Sequence, residues 1–341
     1  VVSGRPDGDS VGRVGEAEVL ARLLPLLGAG PAALLGPGDD AAVVAAPDRR
    51  VVATTDLLVE GRDFRTDWSS GAHVGAKAAV QNLADVAAMG AVPSGLLLTL
   101  GAPPQTPVAW LEELARGVAA VCGVHGTGVV GGDLSGASEL LVSITALGDL
   151  QGRAPVLRSG ARPGDVLALA GSVGRSAAGL ALLLAGGPEL ASRTAPELLA
   201  AHRAPTPPLA AGPAAALAGA TAMLDVSDGL GVDGARLAAA SGVHLDLDAR
   251  WEDEHVRDLL RAARELSGPR GEQDAGPLAR SWVRGGGEDH ALLAAFPPGV
   301  ARAGLPEPFA VVGRVLPERT GRPAVTVGGA DEVRGGWDVY A

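Results

Sequence analysis

The sequence predicts an α/β (α+β) protein built from two domains. Three observations lead there. Its 341 residues amount to about two domains at roughly 150 residues each. Apolar residues make up 47% of the chain, enough to build sizeable cores. Short apolar runs that read as strands alternate with amphipathic stretches that read as helices, and Gly, Pro or Asp separates them.

The elements follow in order. Val14–Leu27 reads as a helix, with Val19, Leu20, Leu23, Leu24 and Leu27 on one stripe and Gly28, Gly30 and Pro31 ending it. Gly36-Pro37-Gly38-Asp39-Asp40 is a tight turn into a short strand, Ala41–Ala46. Val51–Thr55 is a strand that ends in Asp56, Ser69–Met89 is helical and closed by Gly90, and Leu96–Leu100 is a strand. Val108–Cys122 carries Val108, Leu111, Leu114 and Val118 at helical steps. A strand through Gly128–Gly132 ends at Asp133, and Leu140–Gly148 is another. Charge, Gly and Pro cluster between Gly148 and Gly164, which sets the domains at 14–150 and 151–341.

In the second half, Asp165–Ala170 restarts a strand and Ser176–Leu184 is a helix. A polar, proline-bearing stretch covers Glu189–Pro208, and a short alanine-rich helix covers Pro213–Ala220. Ala222–Val226 is a strand running into Ser227-Asp228-Gly229, then come a helix at Leu230–Ala240 and a strand at Val243–Leu247. Ala249–Arg280 is helical at first and turn-rich over Ser267–Pro277. His290–Ala295 starts a helix or a strand, and Phe309–Val315 and Ala324–Val327 are late strands.

Composition excludes several classes. The single cysteine, Cys122, rules out an internal disulfide framework and any multi-cysteine metal centre. A net charge of −11 argues against a nucleic-acid binder. No apolar run approaches the roughly 20 residues that span a bilayer, and no secretory leader pattern opens the chain, so a cytoplasmic protein is expected. Lys77 is the only lysine.

The chemistry-bearing pattern is a series of aspartates at strand ends beside glycine: Asp39, Asp40, Asp56, Asp85, Asp133, Asp225, Asp228, and Glu288 with Asp289. Carboxylates gathered this way repel one another unless cations neutralise them. Hard oxygen donors favour magnesium, held by a few carboxylates plus substrate phosphates. Each aspartate can equally cap a turn or helix, as Asp228 or Ser227 would for the helix from Leu230. Glycine-rich segments at 36–38, 131–132, 171–174 and 285–287 offer backbone N–H groups to phosphate. There is no Walker A, Rossmann or protein-kinase signature, and no nucleophile elbow. Lys77 and Arg158 are the basic candidates for phosphate, with a surface or helix-cap role equally open to Lys77. Trp337 either stacks on a flat ring or anchors the tail.

The segments GPGDDAAVV at 36–44, TTDLLVEGRDF at 54–64, KAAVQNLADVAAMGAVP at 77–93, GGDLS at 131–135, RSGARPGDVLALAGSVGRSAAGL at 158–180, DVSDGL at 225–230, GGGEDHALL at 285–293 and GWDVY at 336–340 occur in one order. Together they resemble the thiamine-monophosphate kinase family of the aminoimidazole ribonucleotide synthetase-like superfamily, over roughly residues 14–341. The resemblance implies a two-domain fold whose N-terminal domains pair through their sheets in a homodimer. It implies transfer of the γ-phosphoryl group of ATP to thiamine phosphate, with several magnesium ions. Asp39, Asp40, Asp56, Asp85, Asp133, Asp225 and Asp228 match the metal-site carboxylates, with Thr54 and Thr55 beside Asp56. Gly132, Asp133, Arg158 and Ser227 match nucleotide-site positions, and Asp63, Glu288 and Trp337 the acceptor site. No covalent nucleophile is expected; Asp85, Asp225 and Asp228 act electrostatically.

Four positions depart from the family pattern: Asp63 stands where histidine is common, Leu134 where threonine follows Gly-Gly-Asp, and His290-Ala291 where Tyr-Glu follows Gly-Glu-Asp. The alternatives are another ATP-using enzyme of the superfamily, or a binding protein for metal or nucleotide without turnover. Production of ADP that needs both magnesium and thiamine phosphate separates them.

Overall fold

The computed structural model describes residues 9–38, 40–268, 271–318, 324–329, 331–333 and 335–336. Contacts divide the chain into a first unit, residues 1–86 and 91–152, and a second, residues 87–90 and 153–341.

The first unit opens with α1 (Val11–Val14) and α2 (Glu16–Leu23), followed by a 3-10 turn at Leu24–Leu26. The single helix expected over Val14–Leu27 is therefore broken. Gly15 sits between the two helices at φ 81, and Pro25 has no N–H to continue the ladder. β1 (Ala33–Leu35) and β2 (Val43–Val44) form a small antiparallel ribbon, shorter than the strand expected over Ala41–Ala46.

The main sheet of this unit has four strands: β3 (Val52–Val59), β4 (Val92–Ala102), β5 (Val129–Gly136) and β6 (Leu141–Asp149). Their order is β3-β6-β4-β5. α3 (Gly71–Ala88) links β3 to β4, and α4 (Val108–Val124) makes the crossover that the parallel β4–β5 pair requires. Burial alternates along the strands. Leu58, Leu96, Leu98, Leu100, Val142, Ile144 and Ala146 are buried on one face. The register Leu57↔Ser143↔Thr99↔Asp133 runs across the other face, where Leu57 is 52% and Leu97 37% exposed. The period of two thus sorts one covered face from one open face.

The second unit carries a seven-stranded sheet of order β13-β12-β9-β11-β7-β10-β8. In chain order its elements are β7 (Val166–Ala170), α5 (Arg175–Thr194), α6 (Pro196–Arg203), α7 (Ala211–Ala218), β8 (Ala222–Val226), α8 (Leu230–Ser241) and β9 (Val243–Leu247). Then follow α9 (Ala249–Ser267), α10 (Gly271–Gly285), β10 (Ala291–Phe296), α11 (Pro298–Ala303), β11 (Ala310–Pro317), β12 (Val325–Val327) and β13 (Asp331–Glu332). Among the described residues of this sheet, only β12 and β9 pair in parallel. β8, β9 and β10 are buried at every residue, so both sheet faces are covered.

One expectation fails here for a tertiary reason, and one stretch to which no element was assigned proves helical. The stretch read as turn-rich over 267–277 enters α10, which packs Ala275, Ala279, Trp282 and Val283 inward. The buried Glu252 of α9 ties it down through ion pairs with Arg280 and Arg284. The polar stretch after Glu189 is also helical: α5 runs on to Thr194 past a break at Gly186 and Gly187, and α6 follows. Among the described residues, no helix is long and apolar enough to cross a membrane.

Candidate active site

In the first unit, Thr54 and Asp56 share the covered face of β3 with Val52 and Leu58, two residues apart along the strand. The Thr54 hydroxyl donates to Asp85 Oδ2 on α3 at 2.7 Å. This strand–helix contact fixes one carboxylate and sets Asp56 on the same face. Both acids are half-buried, so neither is fully desolvated. Thr55 points to the open face, where its Oγ1 donates to the Ile144 carbonyl at 3.1 Å and accepts from Thr145 Oγ1 at 3.0 Å.

Asp133 is on β5, at the opposite edge of the sheet, in the open-face row of Leu57, Ser143 and Thr99. It is exposed, and its Oδ2 accepts from Ser135 Oγ at 2.9 Å. Three strand spacings separate β3 from β5, roughly 14 Å. Within one copy of this unit, Asp133 therefore stands apart from Thr54, Asp56 and Asp85. The neighbouring Gly132 is exposed to solvent, yet a Cβ there would lie 1.8 Å from the Leu98 carbonyl oxygen. That close strand approach requires glycine.

Asp40 is exposed in the bend after Gly38, and Asp39 lies outside the described residues. Asp63 folds back on its own loop: Oδ2 accepts the Val59 N–H at 2.8 Å. The Asp63 carbonyl accepts from Lys77 Nζ at 3.0 Å. Lys77 is 2% exposed, so the surface role left open for it does not apply.

In the second unit, β8 delivers Asp225 into a buried position, with Oδ2 3.2 Å from His290 Nδ1. The chain then turns through Ser227 and Asp228 into α8. Neither side chain caps that helix. Asp233, one turn in, instead accepts the Asp228 N–H at 2.8 Å. Arg236 bridges the two acids, meeting Asp233 Oδ1 at 2.7 Å and Asp228 Oδ2 at 2.5 Å. Burial raises the Asp233 carboxyl above its ordinary value, and the nearby charges of Asp228 and Asp225 add to the rise against its hydrogen bonds.

Glu288 and His290 both adopt left-handed backbone, at φ 65 and 55. The Glu288 N–H donates to the Ser227 carbonyl at 2.7 Å, which ties the two loops together. Between them, Asp289 is buried at the start of α5, where Oδ1 accepts the Ser176 N–H at 3.3 Å. Burial pushes its carboxyl up to about 7 against hydrogen bonds from the backbone of Ser176, Gly174 and Arg175. Arg158 is exposed, and its carbonyl accepts from Ser241 Oγ at 2.8 Å. Trp337 lies outside the described residues.

Among the described residues, no three Asp, Glu, His or Cys side chains form a ready metal cage. The donor set still suits magnesium: Thr54, Asp56 and Asp85 offer hard oxygens only, and magnesium commonly takes one or two carboxylates and completes its shell with substrate phosphate and water. The sequence missed Ser176, His202, Asp233, Arg236 and the structural role of Asp289. Only Asp233, five residues after Asp228, carried a local signal.

Comparison with known proteins bears on this arrangement. Residues 38–150 match the family model "AIR synthase related protein, N-terminal domain". The thiamine-monophosphate kinase of Mycobacterium tuberculosis (strain H37Rv) is 46% identical over 304 residues, covering 89% of this chain and 86% of that one. The chain belongs to the thiamine-monophosphate kinase family. The Corynebacterium glutamicum member is 40% identical over 316 residues, 92% of this chain and 89% of its own. Among solved structures, the kinase of Stenotrophomonas maltophilia superposes with a TM-score of 0.73 at 30% identity, covering 93% of this chain and 96% of that one. The complex of AaThiL with AMPPCP and TMP gives 0.71 at 30% identity, covering 88% and 90%. The hydrogenase maturation protein HypE of E. coli gives 0.69 at 18% identity, covering 94% and 96%, and shares the fold alone.

Leu134 is buried in the covered face of β5, and His290 pairs with Asp225.

Proposed function

We propose that this chain phosphorylates thiamine phosphate to thiamine diphosphate at the expense of ATP, by direct transfer and in the cytoplasm. The observation that carries the reading is the 46% identity with a thiamine-monophosphate kinase across 89% of the chain. The donor chemistry agrees with it. An acceptor phosphate is already ionised at neutral pH, so transfer requires alignment and charge neutralisation rather than a strong base.

The residues take these roles. Asp39, Asp40, Thr54, Thr55, Asp56, Asp85, Asp133, Asp225 and Asp228 hold magnesium, directly or through water. Magnesium held there would supply the positive charge that offsets the nucleotide and acceptor phosphates. Gly132, Asp133, Arg158 and Ser227 address the nucleotide. Asp63, Glu288 and Trp337 address the acceptor. Thr54 holds Asp85 in place through its 2.7 Å hydrogen bond, and Arg236 holds Asp228. No side chain forms a covalent intermediate.

The working form is a homodimer paired through the first unit's sheet. Its open face supports this: Leu57 and Leu97 are exposed there, bordered by hydroxyls that suit a packed neighbour. Asp133 stands on the same face, next to whatever packs there.

The test is incubation of purified protein with ATP, magnesium chloride and thiamine phosphate, with products resolved by anion exchange. Thiamine diphosphate and ADP in equal amounts are expected, and none with free thiamine as acceptor. ADP without thiamine diphosphate, or binding with no turnover, overturns the reading.

A further inference from the structure

Three side chains that the proposed mechanism has not fully used meet beside the start of α5. The Ser176 hydroxyl is 3.0 Å from His202 Nδ1. Glu288 Oε2 is 3.4 Å from both Ser176 Oγ and His202 Nδ1. Ser176 and His202 are buried, whereas the Glu288 side chain is 33% exposed. Two hidden groups thus converge on one oxygen of a carboxylate that faces outward.

The chemistry selects one arrangement. An ionised carboxylate only accepts hydrogen bonds. The Ser176 O–H donates to Oε2, and a proton on His202 Nδ1 would face both Ser176 Oγ and the carboxylate. The fold spends close packing to achieve this. α5 and α6 approach so tightly at Gly179 that a Cβ there would lie 2.2 Å from the Leu198 carbonyl oxygen. Only that approach lets His202 on α6 reach Ser176 on α5. The backbone at Glu288 is itself in the left-handed region, a conformation that persists only where its surroundings fix it.

We propose that Ser176 and His202 are positioning residues, which hold the Glu288 carboxylate in the orientation that meets the electron-poor rings of the acceptor. The proposal rests on the kinase reading above. It goes further in giving α5 and α6 a part in acceptor affinity, through residues that touch neither phosphate nor metal.

The experiment is steady-state kinetics on the full chain, varying thiamine phosphate and MgATP separately, with melting curves alongside. His202→Ala and Ser176→Ala are each expected to raise KM for thiamine phosphate about tenfold, the scale of losing one contact to a charged carboxylate. KM for ATP stays unchanged. His202→Asn, which keeps an N–H donor near the Nδ1 position, recovers most of the loss. In a Glu288→Ala background, His202→Ala raises KM no further, because its effect passes through Glu288. Should His202→Ala fail to fold, Ser176→Ala, alone and in the Glu288→Ala background, carries the same measurement. An unchanged KM for thiamine phosphate, an equal rise for both substrates, or additive penalties in the double variant overturns the proposal. Wild-type protein that makes no thiamine diphosphate overturns the kinase reading itself, so the two failures are distinguishable.

Discussion

The two units hold their acidic side chains in opposite ways. In the first, Asp85 and Asp56 are half-buried, Asp40 and Asp133 are exposed, and one hydroxyl contact from Thr54 ties Asp85 in place. In the second, Asp225, Asp233 and Asp289 are buried, and each has a partner from another segment: His290, the Asp228 N–H and the N-terminus of α5. The surroundings differ. In the first unit Asp133 stands on the open sheet face and Asp40 in an exposed bend, while Asp56 on β3 and Asp85 on α3 stay half-buried, so water still reaches all four. In the second unit burial desolvates the carboxylates, so each needs a fixed donor or an upward shift in pKa.

The largest effect that tests this contrast is on turnover. Asp85→Asn is expected to lower kcat by about 10²–10³-fold, the scale of losing one electrostatic contact to the transition state. Its melting temperature stays close to wild type because the site is half hydrated. Asp225→Asn lowers turnover comparably but also shifts the melting temperature, since the buried contact to His290 loses its carboxylate. Equal thermal behaviour of the two variants would break the comparison.

The next effect is a slope. Asp289 titrates near 7 in the folded protein and at 3.8 as an ordinary carboxyl. Between those values the folded state binds more protons than the unfolded one, so this group's contribution to stability falls as pH rises from about 4 to about 7. Asp289→Asn removes that fall while its side-chain oxygen still accepts from α5. Melting curves at stepped pH should converge for the two proteins near pH 4 and favour the variant near pH 8. Parallel curves would count against a buried, strongly shifted group.

Gly179→Ala is expected to cost about 1–3 kcal/mol, the range for overpacking a tight contact, read from urea denaturation. A neutral result would mean that α5 and α6 can separate without penalty. The smallest effect belongs to Thr54→Val, about 1 kcal/mol for one hydrogen bond, read as a severalfold loss of kcat that Thr54→Ser restores. Failure of serine to restore it would show that the methyl group, not the hydroxyl, matters.

How far these features were legible in the sequence depends on what fixes each. Asp225 and Asp133 announce themselves as acids ending apolar runs. The face on which Asp133 stands was not legible, because it depends on the register of four strands and on an irregularity between Leu96 and Leu97. α10 was hidden for a different reason. Its glycines and Pro277 argue against a helix locally, and the buried face of Ala275, Ala279, Trp282 and Val283, with the pairing of Glu252 to Arg280 and Arg284, offsets them. His202 gave no signal because its partners lie far from it in sequence. Motif spacing sees neighbours along the chain, whereas a buried hydrogen bond is a fact about the folded neighbourhood.

Lys77, the chain's sole lysine, is sealed inside with its amine on the Asp63 carbonyl. Reagents that label or cross-link side-chain amines, such as succinimidyl esters and glutaraldehyde, therefore find no lysine on the folded surface. Acylation of Lys77 becomes a clock for local opening of the helix–loop contact it secures.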